Sequence, residues 1–139
     1  MIILDTNVLS ALMQRIPEPV LVAWLDGQPR LSVWTTSVTV LEVRFGLELL
    51  PTSRRRVRMQ RAFARLIDEA IEGRVLAFDI GAAEHTATLT AARQKAGRAG
   101  DLRDTMIAGI ALAHHARIAT RNMRHFIDLS VEVVNPWQN

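Results

Sequence analysis

The chain has no cysteine, which excludes disulfide bridges and thiolate metal sites alike. It has one lysine, Lys95, among 17 basic residues, so almost all of its positive charge is carried by arginine. No apolar run approaches the roughly 18 to 20 residues that a membrane span needs. Ile2–Leu4 is too short for the apolar region of a signal peptide, and no basic segment precedes it. Internal repeats, low-complexity tracts and a linker between two halves are missing as well. These absences lead to the expectation of one domain over residues 1–139, cytoplasmic and without a membrane partner.

What is present suits a packed domain. Of 139 residues, 49% are hydrophobic, ample for a buried core. The net charge of +3 is small, but its arginine make-up matters, because a guanidinium grips phosphate or carboxylate at two points. A polyanion or an acidic protein would fit such a surface. An ordinary solvated exterior is the competing reading.

Short apolar strands alternate with helices along the chain. Strands are expected at Ile2–Leu4, Leu31–Trp34, Arg74–Phe78, Arg117–Thr120 and Val131–Val134. Helices are expected at Asn7–Met13, Val20–Asp26, Ser37–Leu50, from the capping Ser53 to Glu72, from the capping Asp79 to about Ala96, and over Arg103–Ala116, with a short one at Asn122–Phe126. Gly73 sits where the long charged helix should end. This order predicts an α/β fold, a mostly parallel sheet of short strands with helices on both faces. Ligands bind such sheets at the carboxyl ends of their strands.

Asp5 stands at such an end, directly after Ile2–Leu4, where it can cap the next helix or serve a site. In TTSVTVLEVRFGLELL, the helical period puts Glu42 on one side with Val38, Phe45, Gly46 and Leu49, while Arg44 and Glu48 mark the polar side. Glu42 is therefore expected to face the interior or a cleft, where it must pair with an arginine, protonate or bind a metal. In GDLRDTMIAGIALAHHA, Asp101 can cap a helix, and Asp104 lies in its first turn on the side of Ile107, Ala108 and Ala111. Thr120, Arg121 and Asn122 follow a strand at the same edge as Asp5, and Asn122 can cap the short helix after it.

Asp5, Glu42 and Asp104 can thus converge on one rim. Two unit charges about 4 Å apart repel by roughly 4 kcal/mol at an effective dielectric near 20, so three carboxylates do not stay ionised together unaided. A divalent cation resolves the conflict. Oxygen ligands, with no cysteine or histidine at these positions, favour a hard ion, Mg²⁺ or Mn²⁺. His85, His114, His115 and His125 have no zinc spacing and read as surface or packing residues.

The segments LDTNVLS, TVLEVRFGL, RDTMIAGIA, ATRN and VEVVNPW, in that order from one end of the chain to the other, resemble the PIN-domain ribonucleases. The likeness is to VapC-type toxins of bacterial toxin–antitoxin pairs, in the FitB-like branch. It implies a PIN-like α/β/α sandwich and an Mg²⁺-dependent endoribonuclease that cuts single-stranded RNA by water attack, leaving a 5′-phosphate and a 3′-hydroxyl. It makes Asp5 and Asp104 the principal metal-binding acids, with Glu42 completing the cluster. Thr6, Asn7 and Thr120 would orient the acids through hydrogen bonds. The family's fourth acid falls on Asn122, an amide that can orient a water or ligand but carries no charge, which favours one metal over two. The resemblance also implies a homodimer, and a VapB-like antitoxin that blocks the acidic pocket in a larger hetero-oligomer.

In SRRRVRMQRAFARLIDEAIEG, Arg54, Arg58, Arg61 and Arg65 form one stripe, and Met59, Phe63, Leu66 and Ala70 form the packing stripe. With Arg121, the arginines are candidate contacts for RNA phosphates. Local pairs to Asp68 or Glu69, or a partner surface, are the competing readings, since no aromatic residue interleaves for base stacking. Two other functions stand against the nuclease. One is a non-catalytic PIN-type module that only binds RNA or a partner. The other is a phosphotransfer domain, which would want a second aspartate where Asn7 stands or an acidic pair before the acceptor strand. Neither phosphotransfer pattern is present.

Overall fold

A computed structural model of the chain describes residues 1–138. Five parallel strands, β1 (Ile2–Leu4), β2 (Val33–Thr36), β3 (Val75–Leu76), β4 (Arg117–Ala119) and β5 (Val133–Val134), form one sheet in the order β3-β2-β1-β4-β5. β1 is central. It aligns Ile3 with Trp34 of β2 and with Ile118 of β4. All three of its residues are at most 1% exposed, as a parallel strand covered on both faces requires.

Successive side chains of a strand point to opposite faces, and this splits the core in two. Ile2 and Leu4 pack with Val8 and Leu9 of α1 (Thr6–Leu12), Leu21 of α2 (Pro19–Asp26), Val43 and Leu47 of α3 (Ser37–Leu49) and Phe63 of α4 (Arg54–Arg65). Ile3 points the other way, toward Ala82 of α5 (Ile80–Lys95) and Ile107, Ala108, Ile110 and Ala111 of α6 (Leu102–His114). The result is the expected α/β/α sandwich. Capping side chains start most of the helices: Asp5, Thr36, Ser53, Asp79 and Asp101 each accept a bond from a backbone N–H in the first turn.

Element ends shift by one or two residues, the last strand starting at Val133 rather than Val131 and β2 running on to Thr36, and at four further places the departure has a local reason. Leu31 and Ser32 belong to a 3₁₀ turn, Arg30–Ser32, rather than a strand, because the backbone N–H and hydroxyl of Ser32 both return to the carbonyl of Pro29. The strand expected over Arg74–Phe78 shrinks to the two-residue edge strand β3. The charged helix does not run evenly to Glu72. After Arg65 it winds as a π-helical turn, Leu66–Ala70, closed by Ile71 N–H on Leu66 O at 3.0 Å. The extra residue per turn rotates the packing stripe from Ala70, which is exposed, to Ile71, which is buried.

The fourth departure concerns α3. Val38 is buried as expected, but farther along the inward face is Thr39, Val43 and Leu47, while Phe45 and Leu49 are 53% and 70% exposed. The helix is apolar on both sides, so periodicity does not select the buried one. The junction does: Thr36 accepts from Thr39 N–H at 3.0 Å and sets the phase. Glu42 ends at the boundary, its side chain 19% exposed.

α5 and α6 pack closely because residue 109 is glycine. A Cβ at Gly109 would lie 1.9 Å from Thr86 Oγ1 and 2.7 Å from Ala82 O. We expect Gly109→Ala to destabilise the fold by about 2–3 kcal/mol through overpacking. Thr86→Ala should recover part of that loss in a double-mutant cycle followed by chemical denaturation. Simple additivity of the two substitutions would refute close packing at this contact.

Candidate active site

Asp5 occupies the junction of β1 and α1, and it is 3% exposed. Its backbone N–H donates to Ala119 O of β4 at 3.0 Å, which fixes the position of its Cα. Its carboxylate accepts three bonds, from its two sequence neighbours and from the far end of the chain. Oδ1 accepts from Thr6 N–H at 2.8 Å, and Oδ2 accepts from the Thr120 hydroxyl at 2.7 Å and from Asn7 Nδ2 at 3.2 Å. No cation is among these donors. Burial raises the Asp5 pKa from the ordinary 3.8 to about 6, against the hydrogen bonds from Thr120 and Thr6, and the charges of Asp104 and Glu42 push it the same way.

Glu42 and Asp104 are therefore close enough to act on Asp5 electrostatically. Glu42 Oε1 accepts from the Thr6 hydroxyl at 2.7 Å, so Thr6 binds one acid through its backbone and another through its side chain. Glu42 Oε2 lies 3.8 Å from Arg103 Nε, the only arginine pairing made by the three acids among the described residues. Asp104 follows the N-cap Asp101, whose Oδ1 accepts from the N–H groups of Arg103 and Asp104. Asp104 Oδ2 stands 2.8 Å from His125 Nδ1.

The hydrogen-bond network continues into the strand end of β4. Asn7 Nδ2 donates also to Thr120 Oγ1 at 3.1 Å, and Asn7 Oδ1 accepts from Arg121 N–H at 3.0 Å. Asn122 donates its backbone N–H to Thr120 Oγ1 at 3.0 Å. Its side chain is exposed and does not cap the following 3₁₀ turn, Met123–Phe126, contrary to the expectation.

The donor set fits a hard divalent cation: three carboxylates, with hydroxyl and amide oxygens beside them, whose charges oppose one another around a poorly hydrated centre. As oriented here, no three histidine, aspartate or glutamate side chains among the described residues stand close enough to share one ion. Glu42 is turned to Thr6 and Asp104 to His125.

Two features near the acids are not legible in the sequence. His125 reads there as a surface or packing residue, yet it contacts Asp104. Arg93, 6% exposed, forks onto Asp128 with two bonds of 2.8 Å, and also donates to His125 O and Thr105 Oγ1. The Asp128 hydrogen bonds raise the Arg93 pKa and lower that of Asp128. The arginine stripe of α4 is as expected. Arg54, Arg58, Arg61 and Arg65 line one groove of about 550 Å³ with Val57, and among the described residues the local pairs to Asp68 or Glu69 do not form. Arg121 is engaged elsewhere, 3.5 Å from Glu18 and stacked 3.8 Å over the Trp137 ring.

A family model described as the PIN domain matches residues 2–131. Among curated relatives, the chain is 36% identical over 138 residues to the VapC ribonuclease Y4jK of Sinorhizobium fredii, covering 99% of each chain. It is 32% identical over 139 residues to toxin FitB of Neisseria gonorrhoeae, covering 100% of each. Among solved structures, FitAB bound to an IR36 DNA fragment matches with a TM-score of 0.89 at 32% identity, over 100% of this chain and 97% of that one.

The raised pKa of Asp5 has a consequence for stability. An acid whose folded pKa lies above its unfolded value binds more protons when folded, so its contribution is full below about pH 4 and lost as pH rises toward 6. In metal-free protein, the stability of wild type relative to Asp5→Asn should therefore fall by about 2–3 kcal/mol between pH 4 and pH 7.5. Urea titrations of both proteins check this, and the difference cancels the opposite contribution of Asp128. A pH-independent difference would refute a desolvated carboxylate at position 5.

Proposed function

This chain belongs to the PIN-domain family, and on that footing we propose that it is an Mg²⁺-dependent endoribonuclease, the toxin of a VapBC-type toxin–antitoxin pair. The observation that carries the reading is the Asp5 carboxylate, held among the described residues only by neutral donors and raised in pKa by its burial, with Asp104 and Glu42 adding to the effect. Buried charges are ordinarily paired with an opposite charge or a metal. The names of the relatives support the activity, one being called a ribonuclease and one a toxin.

In this reading Asp5, Asp104 and Glu42 hold the metal. When bound, Mg²⁺ or Mn²⁺ supplies Lewis-acid stabilisation of charge on the scissile phosphate and eases deprotonation of the attacking water. The protein's part is placement. Thr6, Asn7 and Thr120 fix the Asp5 carboxylate, and the Thr6 hydroxyl orients Glu42 so that its other oxygen, 3.8 Å from Arg103 Nε, can position water or take its proton. Water oxygen bonds to phosphorus, the bond to the 3′ oxygen breaks, and a proton from solvent completes the 3′-hydroxyl. The uncharged Asn122 leaves a site for one metal rather than two. Single-stranded or looped RNA is the substrate, and the α4 stripe is a track for its phosphates.

The reading extends to assembly. The similar solved structures include a FitAB complex. By analogy this chain, acting as one domain in the cytoplasm, forms a homodimer held inactive by a VapB-like antitoxin across the acidic pocket. A non-catalytic RNA- or partner-binding module is the second reading, favoured by Asn122 and by the separate orientations of the three acids.

The two readings part cleanly in one experiment. With labelled single-stranded RNA and Mg²⁺ or Mn²⁺, wild type should cleave, EDTA should stop it, and Asp5→Ala and Asp104→Ala should fall to the EDTA level. Glu42→Gln should lose about 10²-fold or more in rate, and sequencing of RNA ends should find 5′-phosphates. Intact RNA after long incubation with Mn²⁺, or cleavage that survives EDTA, would overturn the nuclease reading.

A further inference from the structure

Beside the acid rim lies a pocket of about 280 Å³ whose lining includes Arg93, Arg98, Gly100, Asp104, Arg124 and His125. The geometry points to a second phosphate subsite here, in which Arg98 and Arg124 bind a phosphate of the RNA strand neighbouring the one presented to Asp5 and Asp104. The inference rests on the nuclease reading and adds the residues that hold the strand.

The wall of the pocket is tied together by hydrogen bonds. Arg93 is buried, and its guanidinium joins α5 to Thr105 of α6, to the carbonyl of His125 and to Asp128. The turn after α5 folds over it, with Arg98 N–H on Arg93 O at 2.8 Å and Gly97 at φ +72°. A Cβ at Gly100 would stand 3.2 Å from Arg93 Nη1, so glycine there lets the chain close down on the guanidinium.

The charges in this wall are not equally committed. Arg93 is matched by Asp128. Asp101 is used as the α6 cap, and Asp104 belongs to the acid rim. Arg98 contributes to lowering the pKa of Asp128, but that carboxylate is already held by Arg93 in two bonds. Among the described residues, neither Arg98 nor Arg124 has an acidic partner within 4.0 Å, and both are exposed. Two such guanidinium groups lining one pocket suit the several oxygens of a phosphodiester. Sites that enclose a whole small molecule begin at about 300 Å³, so this pocket fits one phosphoryl group on a strand that continues outside it. Because Asp104 belongs to the acid rim and also lines the pocket, the pocket adjoins the acids. The α4 groove shares no lining residue with the acids.

The test separates binding from cleavage. In an Asp5→Asn background, affinity for a short single-stranded RNA of mixed sequence is measured by fluorescence anisotropy across a salt series. Arg98→Gln/Arg124→Gln should raise Kd about tenfold at low salt, and should make the slope of log K against log salt shallower by about 0.7, because one fewer phosphate is neutralised. Arg124→Lys, which keeps the charge but not the fork, should fall between, and it retains the test should the double variant fold poorly. Unchanged affinity and slope would overturn the subsite. Asp5-dependent cleavage by the otherwise wild-type enzyme would then show that the nuclease reading survives without it. Normal RNA affinity with failed capture of the cognate antitoxin would make the pocket a protein contact and overturn the phosphate assignment. Absence of both RNA binding and cleavage in every form would overturn the subsite and the nuclease reading together.

Discussion

The rest of the site depends on a carboxylate placed where water hardly reaches and given only neutral donors. Asp5 ends the most deeply buried strand of the sheet, and its three donors are a backbone N–H, a hydroxyl and an amide. Dipoles of this kind stabilise the ionised form but do not cancel its charge. The two charges that act on Asp5 are also negative. A folded protein minimising its own free energy would remove this conflict with one arginine, and the chain has many. The conflict persists because parallel strands, each followed by a helix, bring the ends of β1 and β2 and the start of α6 to a common rim.

Arginine is used in two distinct ways around that rim. Arg93 is scaffold, buried and saturated, with a carboxylate partner that satisfies the strict requirement for pairing a desolvated charge. Arg103 stands between the two uses, 3.8 Å from Glu42 and 5.9 Å from the Phe45 ring centroid. Arg98, Arg124 and the α4 stripe are solvated, and among the described residues none of them has an acidic partner within 4.0 Å. Exposed guanidinium groups cost the fold little and remain available for an anion that arrives from outside. Arg103 apart, the positive charge is therefore kept off the three acids and presented beside them, an arrangement suited to a polyanion.

Much of this is legible in the sequence because the relevant signals are local. The run Ile2–Leu4 into Asp5, the capping residues Ser53, Asp79 and Asp101, and the alternation of short apolar strands with helices all follow from strand and cap chemistry. What fails are inferences about phase. The helix α3 has apolar residues on both sides, so Phe45 and Leu49 read as inward when Val43 and Leu47 are. The π turn at Leu66–Ala70 shifts register without any marker residue. His125 and Arg93 escape for a different reason. Their roles come from contacts made across the fold, Arg93 to Asp128 and His125 to Asp104, and neither pair has a spacing that periodicity can expose.

The position of Asn122 is better understood from the network than from the residue. The loop after β4 is tethered to the acid site through backbone groups, Arg121 N–H on Asn7 and Asn122 N–H on Thr120. Those bonds would form with any side chain at position 122 that allows the same backbone. The orientation of Asp5 is thus insulated from the chemistry at 122, and an amide can replace a carboxylate there without loosening the three bonds that define Asp5. The converse holds for Thr120. Its hydroxyl donates to Asp5 and accepts from both Asn7 and Asn122, so removing it would take one of three bonds from a buried acid and break two further tethers at once. The network thus tolerates variation in the side chain at position 122 and very little in the neutral groups that hold Asp5.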